Sequence, residues 1–494
     1  MVPEEFRFPA GEVPGFDEPD DVPRTHALAL EAAREALGGR SSPPDAIVLG
    51  VTTGGIGTTE RLLAAAEVDP SRFALHGAGT VAERIAEEFG CAGPALTVAT
   101  ACSSGAVALA IALELIRTGR ARQVLAGGVD GLSRLTWHGF RLLQLVDPAG
   151  ARPLDRDRAG LTVAEGAGML LLAGAEVPPR GALAELLGAG LTCDAYHPTR
   201  PLPGGEGARA AIERALADAG VATGDVGYVN LHGTGTTDND AAEAAAMQAV
   251  WPVLPPLSST KGLTGHPLAA AGAIEAVIAV LAVHEGLLPA NVGLEQVDPA
   301  LGLEPLRAPV ERSPHIAVSN SFGFGGNNAV LVLGRADERT RDAGRGDSSL
   351  AEGRARACPP KPPWGEGGRA GALEVVGAAC LTGAGDTAAT LAAFGRGVAC
   401  AGMLPDEGVV RGLPPRLIRR LRRLPRIALA LAQAACGTGS AATAPRSVFF
   451  GTAWGPLSET HEFLAALFAS SERFASPTDF VGSVHNAPAG QIAM

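Results

Sequence analysis

Along the chain, short apolar or β-branched runs alternate with longer Ala- and Leu-rich stretches of helical period, the rhythm of an α/β protein with mostly parallel or mixed sheets. The run Ala27-Leu-Ala-Leu-Glu-Ala-Ala33 predicts a helix that begins near Arg24 and that Gly38-Gly39 ends. Ala46 to Val51 predicts a buried strand, Val81 to Phe89 a helix, and Gln123 to Gly128 another strand. Thr162 to Leu172 reads as an Ala/Gly-rich strand, and Glu165 inside so apolar a run needs a partner. Alternating charges in Arg152-Pro-Leu-Asp155-Arg-Asp157-Arg suit a solvated turn or a salt-bridged rim. A second half opens near Ala182, with a helix at Gly207 to Gly220 and a strand at Val226 to Leu231.

The stretch Leu96-Thr-Val-Ala-Thr-Ala-Cys102-Ser-Ser-Gly105 leads into a helical pattern from Ala106 to Gly119. It predicts a strand turning sharply into a helix with Cys102 at the corner. Free amide groups and the positive end of the helix dipole are expected there to favour the thiolate and lower its pKa. Taken alone, the corner also fits a small, inert core cysteine.

Residues 1 to 23 are acidic and rich in Pro and Gly, as in an extended arm, and 336 to 371 combine charge, Gly, Ser and a Pro-Pro-Lys-Pro-Pro cluster, as in a flexible linker. Beyond it the chain echoes its own beginning. Pro425-Arg-Ile-Ala-Leu-Ala-Leu-Ala repeats Pro23-Arg-Thr-His-Ala-Leu-Ala-Leu, Ser447-Val-Phe-Phe-Gly451 repeats Ala46-Ile-Val-Leu-Gly50, and Ser476-Pro-Thr-Asp-Phe480 repeats Asp69-Pro-Ser-Arg-Phe73. The echo ends at Met494, short of a counterpart to Cys102. The basic run Arg416 to Arg426 fits either a solvated helix face or a docking surface for an acidic partner.

Composition narrows the class. A length of 494 residues suggests about two to four domains. The net charge of −12 argues against general nucleic-acid binding. Seven cysteines without CxxC pairs suggest neither a disulfide framework nor a zinc site. With an acidic N-terminus lacking an apolar signal core, and with Glu114 and Glu275 interrupting the longest apolar helices, a cytoplasmic protein without a membrane span is expected.

Three further segments carry candidate chemistry. Asn230-Leu-His232-Gly-Thr234-Gly-Thr236 follows a strand, and Lys261-Gly-Leu-Thr-Gly-His266 precedes an Ala-rich helix containing Glu275. Asn320-Ser-Phe322-Gly-Phe324-Gly-Gly326 lies between two apolar strands, where its glycines serve either as turn residues or to aim N–H groups at an oxyanion. It lacks the lysine and hydroxyl ending of a phosphate loop.

Together, Thr-Ala-Cys102-Ser-Ser-Gly, His232-Gly-Thr-Gly-Thr, Lys-Gly-Leu-Thr-Gly-His266, Pro153-Leu-Asp-Arg-Asp-Arg-Ala-Gly with Glu165-Gly-Ala-Gly, and Ser321-Phe-Gly-Phe-Gly-Gly resemble the β-ketoacyl-[acyl carrier protein] synthase family of elongating, Cys-His-His type. The resemblance covers most of residues 1 to 335. It implies a thiolase-like α/β fold, layered αβαβα, with a nucleophile half at 1–178 and a two-histidine half at 179–335. A partial N-terminal synthase-like domain follows at 372–494, after the linker.

The implied activity is a 3-oxoacyl-[acyl carrier protein] synthase, an acyltransferase of fatty acid or polyketide biosynthesis. The Cys102 thiolate takes an acyl group from carrier-bound phosphopantetheine, and malonyl-carrier protein is then decarboxylated and condensed with it. The resemblance gives His232 and His266 the stabilisation of the enolate, and the amides of Cys102 and Phe324 the oxyanion hole. Phe324 is also implied as a gate, Lys261 and Glu275 as the pair that orders the histidines, and Thr234 and Thr236 as the hydroxyls that bond pantetheine. A simple buried ion pair is the other reading of Lys261 and Glu275. No metal or redox cofactor is implied. The implied partners are an acyl carrier protein and either a second copy or a chain-length-factor-like subunit, and Ser483-Val-His-Asn-Ala-Pro-Ala-Gly490 resembles such factors, including those of aryl polyene pathways.

The family's opening strand and helix are missing before Arg24, while Leu373-Glu-Val-Val-Gly377 resembles that strand. The tail is therefore either the start of a second, truncated synthase or the strand that completes the first sheet. A non-catalytic scaffold, and an acyltransferase acting on coenzyme A thioesters, remain as rival functions.

Overall fold

The structure is a computed structural model. It describes residues 8–336 except 17–21, 40–41, 176 and 178–180, and from the tail 379–380, 386–396, 413–419, 421–436, 448–452, 456–470 and 475–494. Two compact units emerge: one joins Met1–Gly344 to Thr452–Asn486, the other joins Arg345–Gly451 to Ala487–Met494. This division differs from the sequence boundary at 372, because Phe463, Leu464, Leu467 and Phe480 bury their side chains with residues of the first 344.

The larger unit contains two twisted sheets. In the first, Ala46–Gly50 (β1), Ala95–Val98 (β2), Gln123–Asp130 (β3) and Gly166–Ala173 (β4) lie in the order β2-β1-β3-β4, with β4 antiparallel to the rest. In the second, Ala184–Cys193 (β5), Val226–Asn230 (β6), Leu257–Ser258 (β7), Ile316–Gly323 (β8) and Asn327–Arg335 (β9) lie in the order β5-β9-β8-β6-β7. Strands β6, β7 and β8 run parallel, and β9 is antiparallel to both its neighbours. Superposing the two patterns pairs β1 with β6, β2 with β7, β3 with β8 and β4 with β9. The second sheet then has one more edge strand, β5, whose place beside β4 is not filled among the described residues. Leu373–Gly377, the run resembling an opening strand, lies outside the described residues.

Helices complete five layers. Arg24–Leu37 (α1) and Gly79–Phe89 (α2) cover the outer face of the first sheet, and Glu206–Ala219 (α5) and Thr237–Val250 (α6) cover that of the second. Between the sheets run Ser104–Arg117 (α3) and Ala271–Glu285 (α7), while Arg134–Leu142 (α4), which follows β3, packs against Ile56–Ala64, Val163–Ala164 and the tail helices Leu457–Ala469 and Pro477–Ser483. The sandwiched helices bury small residues, Ala106, Ala108, Ala112 and Ala276, against Val48, Val124 and Leu331, which lets two sheets approach from opposite sides. Leu268–Glu285 is long and apolar enough to cross a bilayer, and two-thirds of it is buried inside the protein.

Local predictions hold where the chain has helical caps and β-branched runs. Gly38 ends α1 in the left-handed conformation, at φ 55°. Glu165 interrupts the predicted Thr162–Leu172 strand and accepts from Arg24 Nε at 2.7 Å, Val13 N–H at 2.9 Å and Leu132 N–H at 3.1 Å. Burial raises its pKa, but these donors outweigh burial and hold it below the ordinary value. Of the two readings of the 152–158 segment, the salt-bridged one holds, with Arg156 and Asp157 exposed to solvent. Leu154, Asp155 and Arg158 are buried, and the Arg158 guanidinium spans Asp240 at 3.4 Å and Asp298 at 2.7 Å. In the smaller unit, Arg423–Cys436 is helical as the echo of α1 requires, but residues 448–451 form no strand and Phe449 stands exposed. The basic run is divided between helices Pro415–Ile418 and Arg423–Cys436, so it is not one helix face.

Candidate active site

The corner between β2 and α3 carries Cys102. Ala101 adopts φ 52°, the left-handed region that a side chain enters at a cost of about 1 to 2 kcal/mol, and the turn it makes delivers Cys102 to the start of α3. Ser103 Oγ and Ser104 Oγ brace the corner by donating to the carbonyls of Thr100 and Ala101 at 2.8 and 2.6 Å. From the other half, the β8–β9 turn presses against this corner. A Cβ on Gly323 would lie 2.9 Å from the Thr100 oxygen and 3.0 Å from the Cys102 nitrogen, so only glycine permits the approach. The next residue, Phe324, thereby directs its N–H at the Cys102 sulfur.

The expectation of a lowered thiol pKa is overturned. Burial pushes the Cys102 thiol up to about 12, although the Lys261 charge and the Phe324 N–H both act to lower it, and the nearby Asp130 carboxylate adds to the rise. In the absence of an acyl donor the residue is a thiol.

His232 follows directly on β6, and its loop is held from below by Glu243 on α6. That carboxylate accepts from His232 N–H and Gly233 N–H, each at 2.8 Å, and from Asn320 Nδ2 at 3.0 Å. Burial raises Glu243 to about 7 despite these donors. Lys261, 1% exposed, donates from Nζ to the His232 carbonyl at 2.6 Å and lies 3.2 Å from ring Nδ1. An ammonium has no lone pair to give, so Nδ1 is the acceptor and the ring proton sits on Nε2. Glu275 on α7 pairs with Lys261, and burial raises its pKa while Lys261 opposes the rise. Lys261 and Glu275 form the buried ion pair, and the same Lys261 Nζ reaches His232.

His266 is fixed by its backbone: its N–H donates to Thr162 at 2.7 Å and its carbonyl accepts from Ala164 at 3.1 Å. Its buried Nδ1 has no hydrogen-bond partner among the described residues. The two imidazoles meet edge to face with centroids 5.4 Å apart. Burial, then the Lys261 charge, lowers the pKa of both rings well below the ordinary value, so both are neutral. Thr234 and Thr236 share a hydrogen bond at 2.8 Å.

Cys102, His232, His266, Thr234, Thr236 and Phe324 all line one cavity of about 420 Å³, while Lys261 and Glu275 stand behind it. Two carboxylates escaped sequence reasoning. Glu243 is one of three acidic side chains on α6, after Asp238 and Asp240. Asp130, at the end of β3, accepts from the N–H groups of Thr53 at 2.7 Å and of Thr52 and Ala269, both at 2.9 Å. Asp130 had the signal of an acid in an otherwise apolar strand, whereas Glu243 had none, since α6 carries two more acids.

Comparison with known proteins matches this arrangement. Residues 14–177 fit the family model described as "Beta-ketoacyl synthase, N-terminal domain", and residues 183–295 its C-terminal counterpart. Residues 403–494 fit a second N-terminal-domain model, in agreement with the internal echo. A 3-oxoacyl-[acyl-carrier-protein] synthase 2 from Synechocystis sp. is 38% identical over 263 residues, or 49% of this chain and 62% of that protein. The match thus spans about three-fifths of that relative's length. Nodulation protein E from Rhizobium meliloti is 36% identical over 333 residues, 63% of this chain and 82% of that protein. The solved structure titled "The ishigamide ketosynthase/chain length factor" aligns with a TM-score of 0.62 at 35% identity, covering 66% of this chain and 87% of that one.

Five alternating layers, two related sheets and a cysteine at a strand-to-helix corner define the thiolase-like fold. Within that class, the chain belongs to the β-ketoacyl synthase family.

Proposed function

We propose that this chain is a 3-oxoacyl-[acyl carrier protein] synthase that condenses an acyl group held on Cys102 with malonyl-carrier protein, in fatty acid or polyketide synthesis. The observation that carries the reading is the convergence of Cys102, two neutral histidines and the Phe324 N–H on a single cavity.

In the first step, Sγ of Cys102 forms a bond to the acyl thioester carbon. The N–H groups of Cys102 and Phe324 hold the developing oxyanion, and the carbon–sulfur bond to phosphopantetheine breaks. The thiol proton leaves with the departing pantetheine sulfur, so no net charge is created. In the second step, malonyl thioester loses carbon dioxide, and the released electron pair becomes an enolate. Its oxygen accepts from Nε2–H of His232, the tautomer that Lys261 imposes, and from the His266 ring. The enolate carbon attacks the acyl carbonyl, the carbon–sulfur bond to Cys102 breaks to release a thiolate that takes a proton from water, and 3-oxoacyl-carrier protein departs. Loss of carbon dioxide drives the bond formation, so the reaction calls for no metal or redox cofactor. Thr234 and Thr236 line the cavity and are the proposed hydroxyl partners of the pantetheine arm. An acyl carrier protein is the proposed donor partner, and a homodimer or a heterodimer with a chain-length-factor-like subunit the proposed assembly.

Intact mass of the full chain, wild type beside Cys102→Ala, after incubation with acyl-carrier protein and then malonyl-carrier protein, tests the proposal. The expected result is an acyl adduct that needs Cys102 and disappears as 3-oxoacyl product forms. No adduct from any thioester, on folded protein, overturns the proposal in favour of a scaffold, and loading by acyl-coenzyme A alone redirects it to coenzyme A chemistry.

A further inference from the structure

A second, smaller space opens beside Cys102, and one of its walls comes from far along the chain. Its volume is about 50 Å³, room on the order of four water molecules. On one side stand Thr52, Ile56, His76 and Leu135, and on the other Thr460, Phe480, Ser483 and His485. The second group belongs to Thr452–Asn486, which is part of the same compact unit as the catalytic halves.

That segment is anchored. Helix Leu457–Ala469 buries Phe463, Leu464 and Leu467, and helix Pro477–Ser483, started by a Ser476 cap, buries Phe480 at 1% exposure. The Phe480 ring lies over Gly139 of α4, where a Cβ would fall 2.1 Å from the ring. It also meets Phe140 edge-on, with centroids 5.5 Å apart. Phe140 in turn stacks on Phe324 at 5.4 Å. A few residues further on, the buried Asn486 donates from Nδ2 to the Phe324 carbonyl at 2.8 Å. Phe324 is thus held twice by the tail: through a row of rings on its side-chain side and through an amide on its backbone.

We propose that the helices Leu457–Ala469 and Pro477–Ser483, with Asn486, act in cis as part of the acyl site, Phe480 setting the length of acyl group that Cys102 can carry and Asn486 positioning the Phe324 amide. The proposal rests on the condensing function above. The space beside Cys102 admits only a short chain while Phe480 stays in place. A longer acyl group must push that ring, and the push reaches Phe324 through Phe140, because closely packed rings do not yield independently. Phe480 is therefore a specificity-determining residue, and Asn486 a positioning residue that does not touch the reacting atoms.

The test uses the full chain and carrier proteins bearing saturated acyl groups of increasing length. For each variant, the ratio of long- to short-chain adduct on Cys102 is read by intact mass, with a thermal melt for folding. Phe480→Ala is expected to raise the ratio roughly tenfold and Phe480→Trp to lower it by a similar factor. Unfolding cannot produce opposite shifts. Asn486→Asp keeps the shape but loses the donor, and is expected to lower the acylation rate constant about tenfold with KM little changed. Asn486→Gln, which keeps an amide donor, recovers part of that loss. Adducts with an unchanged length profile in both Phe480 variants, or equal loss in both Asn486 variants, overturn this inference while leaving the condensing function intact. No adduct even on the wild type overturns the condensing function, and this inference with it.

Discussion

Lys261 and His232 are joined at two points, Nζ to the main-chain oxygen at 2.6 Å and Nζ to ring Nδ1 at 3.2 Å. The first contact fixes the loop and the second fixes the tautomer. Replacing lysine by a neutral chain of similar length removes both contacts, and with them the charge that partly offsets the burial of the Cys102 thiol. Lys261→Met is expected to lower decarboxylation of malonyl-carrier protein by roughly 10²-fold or more and Cys102 acylation by much less. Parallel measurement of adduct mass and carbon dioxide release checks the split. Equal loss in both steps would count against a tautomer role.

The same substitution strands Glu275. A buried charge left alone costs about 3 to 5 kcal/mol, so Lys261→Met should lower the denaturation midpoint substantially. Lys261→Met combined with Glu275→Leu is expected to recover most of that stability without recovering condensation. Recovery of both would show that the pair serves folding only.

The buried thiol has a direct signature in alkylation. With Cys102 pushed up to about 12, its thiolate fraction should rise about tenfold per pH unit through the neutral range. Iodoacetamide labelling of the free protein, followed by peptide mass mapping from pH 6 to 10, should show that slope at Cys102, with far slower labelling than at the exposed Cys436. A plateau near pH 7 would mean that the helix start lowers the thiol pKa after all.

Glu243 makes a pH prediction with a definite sign. Its folded pKa, raised to about 7 by burial, lies above the unfolded value. Its contribution to stability is therefore fully present below about pH 4.5 and is lost as pH rises towards 7, for a total on the order of 3 kcal/mol. Glu243→Gln should flatten the stability curve between pH 5 and 8 relative to wild type. Urea denaturation at each pH measures the difference, and parallel curves would refute the assignment.

How much of this was legible follows from where the information sits. The corner at Cys102, the strand before His232 and the glycine turn at Phe324 are local patterns, and each folds as its own residues dictate. The raised thiol pKa was not local. It arises because β8, more than 200 residues away, closes over the corner and excludes water, which no stretch around Cys102 records. Glu243 and Asp130 were missed for the same reason, since their partners come from other elements. The tail echo was visible as a repeat, yet the seating of Phe480 against Gly139 is a complementarity between two distant side-chain positions, and periodicity carries no trace of it.

Gly323 offers the sharpest test of how the two halves build the site. Its backbone passes so close to the corner that an added Cβ would stand 2.9 Å from the Thr100 oxygen, 3.0 Å from the Cys102 nitrogen and 3.2 Å from the Ser103 nitrogen. These are backbone atoms, so no side chain can swing away to make room. Gly323→Ala must therefore separate the β8–β9 turn from the strand-to-helix corner. Overpacking of this kind typically costs about 1 to 3 kcal/mol, which a domain of this size survives. The Phe324 N–H, attached to the same peptide, moves with the turn and no longer faces the sulfur. Loss of one oxyanion donor lowers acyl transfer by roughly 10²-fold. The expected outcome is a folded protein with a lower melting midpoint, an intact histidine site and Cys102 acylation reduced by that factor. If Gly323→Ala acylates at the wild-type rate, the Phe324 amide is not part of the oxyanion hole, and a donor elsewhere in the cavity must be sought.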